Sequence, residues 1–207
     1  MALDLDNFNG TVGSNVSGTS DLAPLTTQAQ MMIDILDLKA GDTVGLLYCS
    51  AEANSAYQVA VVKEYLESKG LTATLYAFSD SNDLSLITTG AANVCDAIYV
   101  PTDNTVASNT TAINNICSQA GVPVFAGEEG ICSVCGFATL SISYYNIGYK
   151  TGEMAAEILL GKTDIREMPI AYDEAPVKKY NEAICNELGI DTAELEALGY
   201  EKIVVEE

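Results

Sequence analysis

Val44-Gly45-Leu46-Leu47-Tyr48 runs directly into Cys49-Ser50-Ala51-Glu52-Ala53-Asn54-Ser55, an apolar stretch that stops in a cluster of small polar and acidic residues. The same junction recurs where Cys95-Asp96-Ala97-Ile98-Tyr99-Val100 meets Pro101-Thr102-Asp103-Asn104-Thr105, and where Val122-Pro123-Val124-Phe125-Ala126 meets Gly127-Glu128-Glu129-Gly130. Each cluster opens a helix-like segment. In an open parallel α/β sheet the carboxyl ends of all strands lie along one edge, and their loops converge there on a ligand. The repeated junction therefore predicts such a sheet, with function at that edge.

Working outward, the spacing predicts a helix from Asp21, with Pro24 in its first turn and Leu25, Ala29, Met32, Ile33 and Leu36 as its apolar stripe. Strands are predicted at 43–48, 72–78, 95–100 and 122–126, and helices at 56–69 and 80–91. Val106, Ile113, Ile116 and Ala120 mark a further helix, closed by Gly121. This alternation favours right-handed crossovers and a parallel sheet flanked by helices. Beyond it, residues 137–143 alternate like a strand and 144–160 read as a helix. That helix carries Ile147, Thr151, Met154 and Ile158 on one face, with Gly148 and Gly152 allowing close approach of a neighbour. Residues 169–171 read as extended, 178–188 and 192–198 as helices, and Ile203-Val204-Val205 as a last strand or a frayed end. Residues 1–20, with glycines at 10, 13 and 18, read as an extended lead-in.

Composition narrows the function. The 207 residues carry 9 Lys and Arg against 29 Asp and Glu, a net charge of −20, which repels nucleic acid phosphates and argues against a nucleic acid partner. Without histidine, the commonest general base and the commonest zinc ligand are both missing, which argues against triad hydrolysis and most zinc catalysis. No stretch has the length of a transmembrane helix, and residues 1–20 have neither the basic start nor the apolar run of a signal peptide.

The six cysteines do not form a disulfide framework in a chain of this length. Cys132 and Cys135 make a Cys-x-x-Cys that lies between two strand-like runs, with Gly136 directly after it. A redox pair usually follows a strand and opens a helix, so this one is read as a loop pair, reduced or linked for rigidity. A flavodoxin-like or thiol redox protein using Cys132 and Cys135 is the alternative function, disfavoured because no Gly-rich phosphate loop follows the strand at 43–48. The effector domain of a transcription regulator is a third possibility on fold grounds, but no helix-turn-helix or basic arm accompanies it.

Taken together, residues 16–21, 50–55, 99–106, 123–126 and 145–156 resemble, in order and spacing, the substrate-binding proteins of bacterial ABC uptake systems. The resemblance is to the type that binds aromatic amino acids such as tryptophan and phenylalanine. It implies a two-lobed type I periplasmic-binding-protein fold, a non-enzymatic role, no cofactor, an ABC transporter permease as partner, and an extracellular lipoprotein or periplasmic location. It also implies a signal peptide and roughly one more lobe ahead of Met1. On that reading 1–20 is a crossover, 21–136 a carboxyl-terminal-type lobe, 137–168 a strand and helix belonging to the incomplete other lobe, and 169–207 a return segment with the last helices. A helix at 144–160 lacking its lobe is expected to bury Ile147, Met154 and Ile158 against a second copy, giving a homodimer.

An amino acid needs donors for its carboxylate, an acceptor for its ammonium and an apolar slot with a ring for its side chain. The ligand-binding set expected from the strand-end loops is Thr19, Ser20, Asn54 and Ser55 as donors, Asp103 and Glu128 as ammonium acceptors, Asn104 beside them, and Tyr48 or Tyr99 as the ring. Each has an ordinary structural role available. Ser, Thr, Asn and Asp ahead of a helix are commonly N-caps, acidic pairs such as Glu128-Glu129 commonly form solvated turns, and tyrosine is common at strand ends.

Overall fold

The computed structural model describes residues 10–204; positions 1–9 of the expected crossover and Val205 of the expected last strand lie outside the described residues. The elements in chain order are α1 (Leu25–Leu36), β1 (Thr43–Cys49), α2 (Ala53–Ser68), β2 (Thr72–Phe78), α3 (Ser81–Ala92), β3 (Ala97–Val100), α4 (Asn104–Ala107), α5 (Thr110–Ala120), β4 (Val124–Ala126), α6 (Glu129–Cys135), β5 (Ala138–Ser141), α7 (Tyr144–Leu159), β6 (Val177–Tyr180), α8 (Glu182–Leu188), α9 (Thr192–Ala197) and β7 (Glu201–Lys202). The chain divides into two compact units, one of Met1–Leu22 with Ile142–Pro176 and a larger one of Ala23–Ser141 with Val177–Glu207.

The larger unit holds one sheet in the order β2-β1-β3-β4-β5-β6-β7. It is parallel from β2 through β5, and β6 runs antiparallel to β5. Strand residues alternate between the faces. Leu47, Ile98, Val100 and Val124 pack with Leu84, Ile113 and Ile131 on the side of α3, α5 and α6. The opposite face buries Leu46, Tyr99 and Phe125 beneath α1 and α2. There Tyr99 stacks on Phe125 at 6.3 Å and Phe125 meets Phe137 edge-on at 5.7 Å. All residues of β3, β4 and β5 are buried, as expected of strands covered on both faces.

Several boundaries move for identifiable reasons. The first helix begins at Leu25 rather than Asp21, because the residue before a proline is pushed out of the helical region and Pro24 itself becomes the N-cap. The helix expected around 106–120 is two, broken at Ser108 and Asn109. Asn109 Nδ2 donates to the Thr105 carbonyl at 2.7 Å, a local bond that competes with helix continuation. Residues 178–180 belong to β6 and not to a helix, since Asn181 is the N-cap of α8 and its side chain also donates to Cys132 O and Ser133 O at 3.1 and 3.0 Å. The Cys-x-x-Cys loop is helix α6, and the strand assigned to the other lobe is β5, at the heart of the main sheet. Parallel pairing of β5 with β4 through the short α6 crossover places it there.

In the smaller unit, two isolated bridges tie the lead-in to the extended piece at 169–171: Thr11 with Pro169 and Thr19 with Ala171. Ser143 caps α7, and its backbone N–H donates to Asp173 at 2.6 Å. The stripe of Ile147, Met154 and Ile158 turns out to be the covered side of α7, with Met154 7% exposed. Its exposed large apolar residues are instead Tyr144, Tyr145, Tyr149 and Leu159. The expected homodimer rested on that stripe being open, and so loses its basis. Gly148 and Gly152 face open space rather than a close neighbour.

Candidate functional site

In the larger unit the loops after β1, β3 and β4 meet at the carboxyl edge of the sheet, and Pro101-Thr102-Asp103 is the point on which they converge. Asn54 Nδ2, Ser55 Oγ and Gln58 Nε2, all from the first turns of α2, donate to the single carbonyl oxygen of Thr102 at 3.0, 3.3 and 3.3 Å. Gln58 closes a second bond, its Oε1 accepting from Thr102 N at 3.1 Å. A carbonyl oxygen has two lone pairs. Ser55 also hydrogen-bonds the Asp103 carboxylate, so its hydroxyl has a second acceptor and the Asn54 and Gln58 amides are left to fill the two sites on the Thr102 oxygen.

The Glu52 carboxylate reaches from the β1 loop to the start of α4. One oxygen accepts from Asn104 N and Nδ2, both at 3.0 Å, and the other from Thr105 N at 2.9 Å and Oγ1 at 2.7 Å. Burial pushes the Glu52 pKa up, but these four donors outweigh it and hold the group below its ordinary value of 4.5. A carboxylate depressed in the folded state adds stability that is complete above the unfolded pKa and is lost as pH falls through the folded one. Glu52→Gln is accordingly expected to be less stable than the parent at pH 7, with the gap narrowing below about pH 4.5. Urea titrations of both chains at pH 7 and pH 3.5 check this, and an equal gap at both values would exclude the latch.

Asp103 is 1% exposed and turns inward. Its oxygens accept from Cys49 N at 2.7 Å and Val106 N at 2.9 Å, so it caps α4 and ties that helix to the end of β1. Burial raises its pKa against the lowering pull of these donors. Glu128 caps α6, accepting from Gly130 N and Ile131 N. It remains half-buried, and a carboxylate with two bonds keeps acceptor capacity. Behind it, Lys179 Nζ lies 2.7 Å from both Glu129 oxygens.

Seven of the expected residues thus belong to the larger unit, and five of them sit on the converging loops: Asn54, Ser55, Asp103, Asn104 and Glu128. Tyr48 does not join them; it lines a hollow of about 230 Å³ against α2 with Val59, Lys63 and Leu75. Tyr99, the other candidate ring, is fully buried and donates to Gln28 Oε1 at 2.7 Å, so it belongs to the core. Thr19 and Ser20 belong to the smaller unit. There Thr19 Oγ1 pairs with Thr151 Oγ1 at 2.8 Å, and Ser20 Oγ accepts from Leu22 N at 3.2 Å. Glu52, Gln58 and Gln28 are the organising residues that the sequence reading passed over. Polar residues at helical spacing from the apolar positions were the available signal: Gln28 lies three after Leu25, and Gln58 four before Val62.

The thiols do not offer redox chemistry. Cys132 and Cys135 are buried in α6 as free cysteines, donating to Gly136 O and Ile131 O. Burial pushes the pKa of each upward, the reverse of what an attacking thiolate needs. Among the described residues no group of three or more Cys, Asp or Glu side chains is arranged to hold a metal ion, and no helix is long and apolar enough to cross a membrane.

A family described as ABC transporter substrate binding protein matches residues 5–199. A tyrosine-binding protein of Clostridioides difficile is 30% identical over 192 residues, which is 92% of this chain and 53% of that protein; the chain spans about half the length of this relative. Among solved structures, the ABC domain from Streptococcus pneumonia in complex with L-Trp superposes with a TM-score of 0.82 at 29% identity, covering 94% of this chain and 67% of that one. The ligand-free, open structure of a substrate binding protein with adhesive properties from Clostridium difficile gives 0.72 at 32% identity, covering 96% and 66%.

Proposed function

Because the chain belongs to the ABC transporter substrate-binding protein family, we propose that it is the ligand-capturing, non-enzymatic part of an uptake system and that the Thr102 edge of its larger unit receives an aromatic or other apolar amino acid. The observation that carries this is the exposed Asn54 amide at the amino end of α2, one of whose two N–H groups is spent on the Thr102 carbonyl while the other is left to donate. A ligand carboxylate is the group that takes up a spare donor there, favoured by the unpaired N–H groups and dipole of the helix start. Glu128 is the partner for the ammonium, and Asp103 holds the loops in place from below. The tyrosine-binding relative and the L-Trp complex support the aromatic class. The permease of the same system would be its partner, and it would act outside the cytoplasmic membrane, periplasmic or lipid-anchored.

The chain has no tryptophan, so the emission of added L-Trp reports on the ligand alone. L-Trp emission is expected to change on titration with the protein, and L-Tyr and L-Phe to compete, while L-Lys and D-glucose do not. Asn54→Ala should weaken binding about tenfold, the loss of one hydrogen bond to a charged group. Binding of glucose with none of the three aromatic amino acids would overturn the ligand class, and unchanged affinity in Asn54→Ala would move the carboxylate elsewhere.

A further inference from the structure

We propose that the trough between α1 and the α8–α9 pair in the larger unit is a docking site for a basic amphipathic helix of a partner protein. The hollow measures about 750 Å³ and shares no residue with the Thr102 edge. Its lining is apolar where a partner would sit: Met31 and Ile35 come from α1, Leu195 from α9, and Leu198 just after it is 58% exposed. An apolar trough between helices is the shape into which amphipathic helices dock.

The charges around it select the occupant. Asp34, Asp37, Asp191 and Glu194 line the hollow against the single base Lys178. Asp37 is paired with Lys39, and Asp191 caps α9 through Ala193 N and Glu194 N. Asp34 and Glu194, on opposite walls, are in no ion pair among the described residues, and Asp34 accepts only from Gln30. Lys178 Nζ is held 5.2 Å from the centre of the Tyr200 ring. Tyr200 is 6% exposed, lines the same hollow and has no hydrogen bond from its hydroxyl to another described residue. Apolar floor and acidic walls together fit a segment with leucine-like residues on one face and lysine or arginine beside them.

The test uses a synthetic leucine–lysine amphipathic peptide with one tryptophan on its apolar face, read by that tryptophan's emission. The expected result is saturable binding, with a counterpart carrying glutamate for lysine failing to bind. Asp34→Lys combined with Glu194→Lys should weaken binding at least tenfold, and Leu198→Ser about fivefold. Asp83→Lys combined with Glu64→Lys, an exposed pair elsewhere, should change it less than twofold. Circular dichroism confirms that each variant is folded. Equal weakening by both charge-reversed pairs would show attraction to net charge alone and overturn the proposal. So would displacement of the peptide by hexylamine at the peptide's own concentration, which would make the occupant a small amphiphile.

Discussion

Gln28→Leu is expected to cost about 4 kcal/mol, a large part of the total stability of a domain of this size. Gln28 is fully buried in α1, and all of its polar atoms are used: Nε2 donates to Gly127 O at 2.9 Å and to Leu140 O at 3.2 Å, and Oε1 accepts from the Tyr99 hydroxyl at 2.7 Å. Leucine has nearly the same volume and better transfer energy, so packing alone predicts a neutral change. What decides the sign is the three groups left behind. Each buried donor or acceptor without a partner costs about 1–3 kcal/mol, and the added apolar burial recovers only about 1 kcal/mol of that sum. Urea unfolding followed by far-ultraviolet circular dichroism should show a lower midpoint with an unchanged slope. A loss below about 1 kcal/mol would mean that the three partners find each other or water, and that Gln28 is not the tie between α1, β3, β5 and the β4 loop.

The centre of the sheet is legible because β3 and β4 are buried on both faces and read as nearly continuous apolar runs, whereas β2, an edge strand with most of its residues only partly buried or exposed, is marked at 72–78 by its β-prone composition between Gly70 and the polar run after Phe78. The misplacements share one cause, side chains whose long-range partners no local window reveals. Asn181 looks like one more helical residue until its amide is seen to bind Cys132 and Ser133, fifty residues away in the chain. The lysines at 178 and 179 gave β6 a polar look because it lies beyond the doubly covered part of the sheet, where Lys179 can reach Glu129. α6 opens at the third polar cluster, as that junction implies, but its seven residues, with glycines at 130 and 136, carry too little periodicity to show that the helix runs on through Cys132 and Cys135.

At the candidate site, the polar clusters at strand ends marked the right loops, while the division of labour within them was hidden. Asp103 and Glu128 were read as ligand acceptors, and both spend bonds on capping the helices that follow them, the ordinary use of such residues. Glu52 stood in the quoted stretch with no role, because its partners Asn104 and Thr105 are half a hundred residues further on. Tyr48 shows the limit of a strand-end argument: the end of β1 was located correctly, but the alternation of side chains sends residue 48 to the α2 side.

Gly127→Ala should be nearly as damaging as the loss of Gln28, for a reason of space rather than polarity. A Cβ at this position would stand 2.6 Å from Thr102 N and 2.7 Å from the Pro101 carbonyl carbon. Both are backbone atoms, with no flexible side chain to move aside. Thr102 is itself held by Gln58 through two bonds, and Gly127 N donates to Val100 O at 2.7 Å, so neither strand end can retreat without breaking a bond. Overpacking of this kind costs about 3 kcal/mol. Because the strain falls on the Thr102 loop, L-Trp binding should weaken together with stability, whereas Gln28→Leu, acting from behind the sheet, should lower stability first. The contrast within the chain is Gly148→Ala on the exposed surface of α7, where a Cβ meets nothing within 4 Å. There the same substitution should raise stability by about 0.5–1 kcal/mol through helix propensity alone. Measuring the two variants side by side by urea unfolding separates the effects: a Gly127→Ala chain as stable as the parent would show that β3 and β4 can part at their ends, and would remove the close approach of the two loops as a determinant of the site.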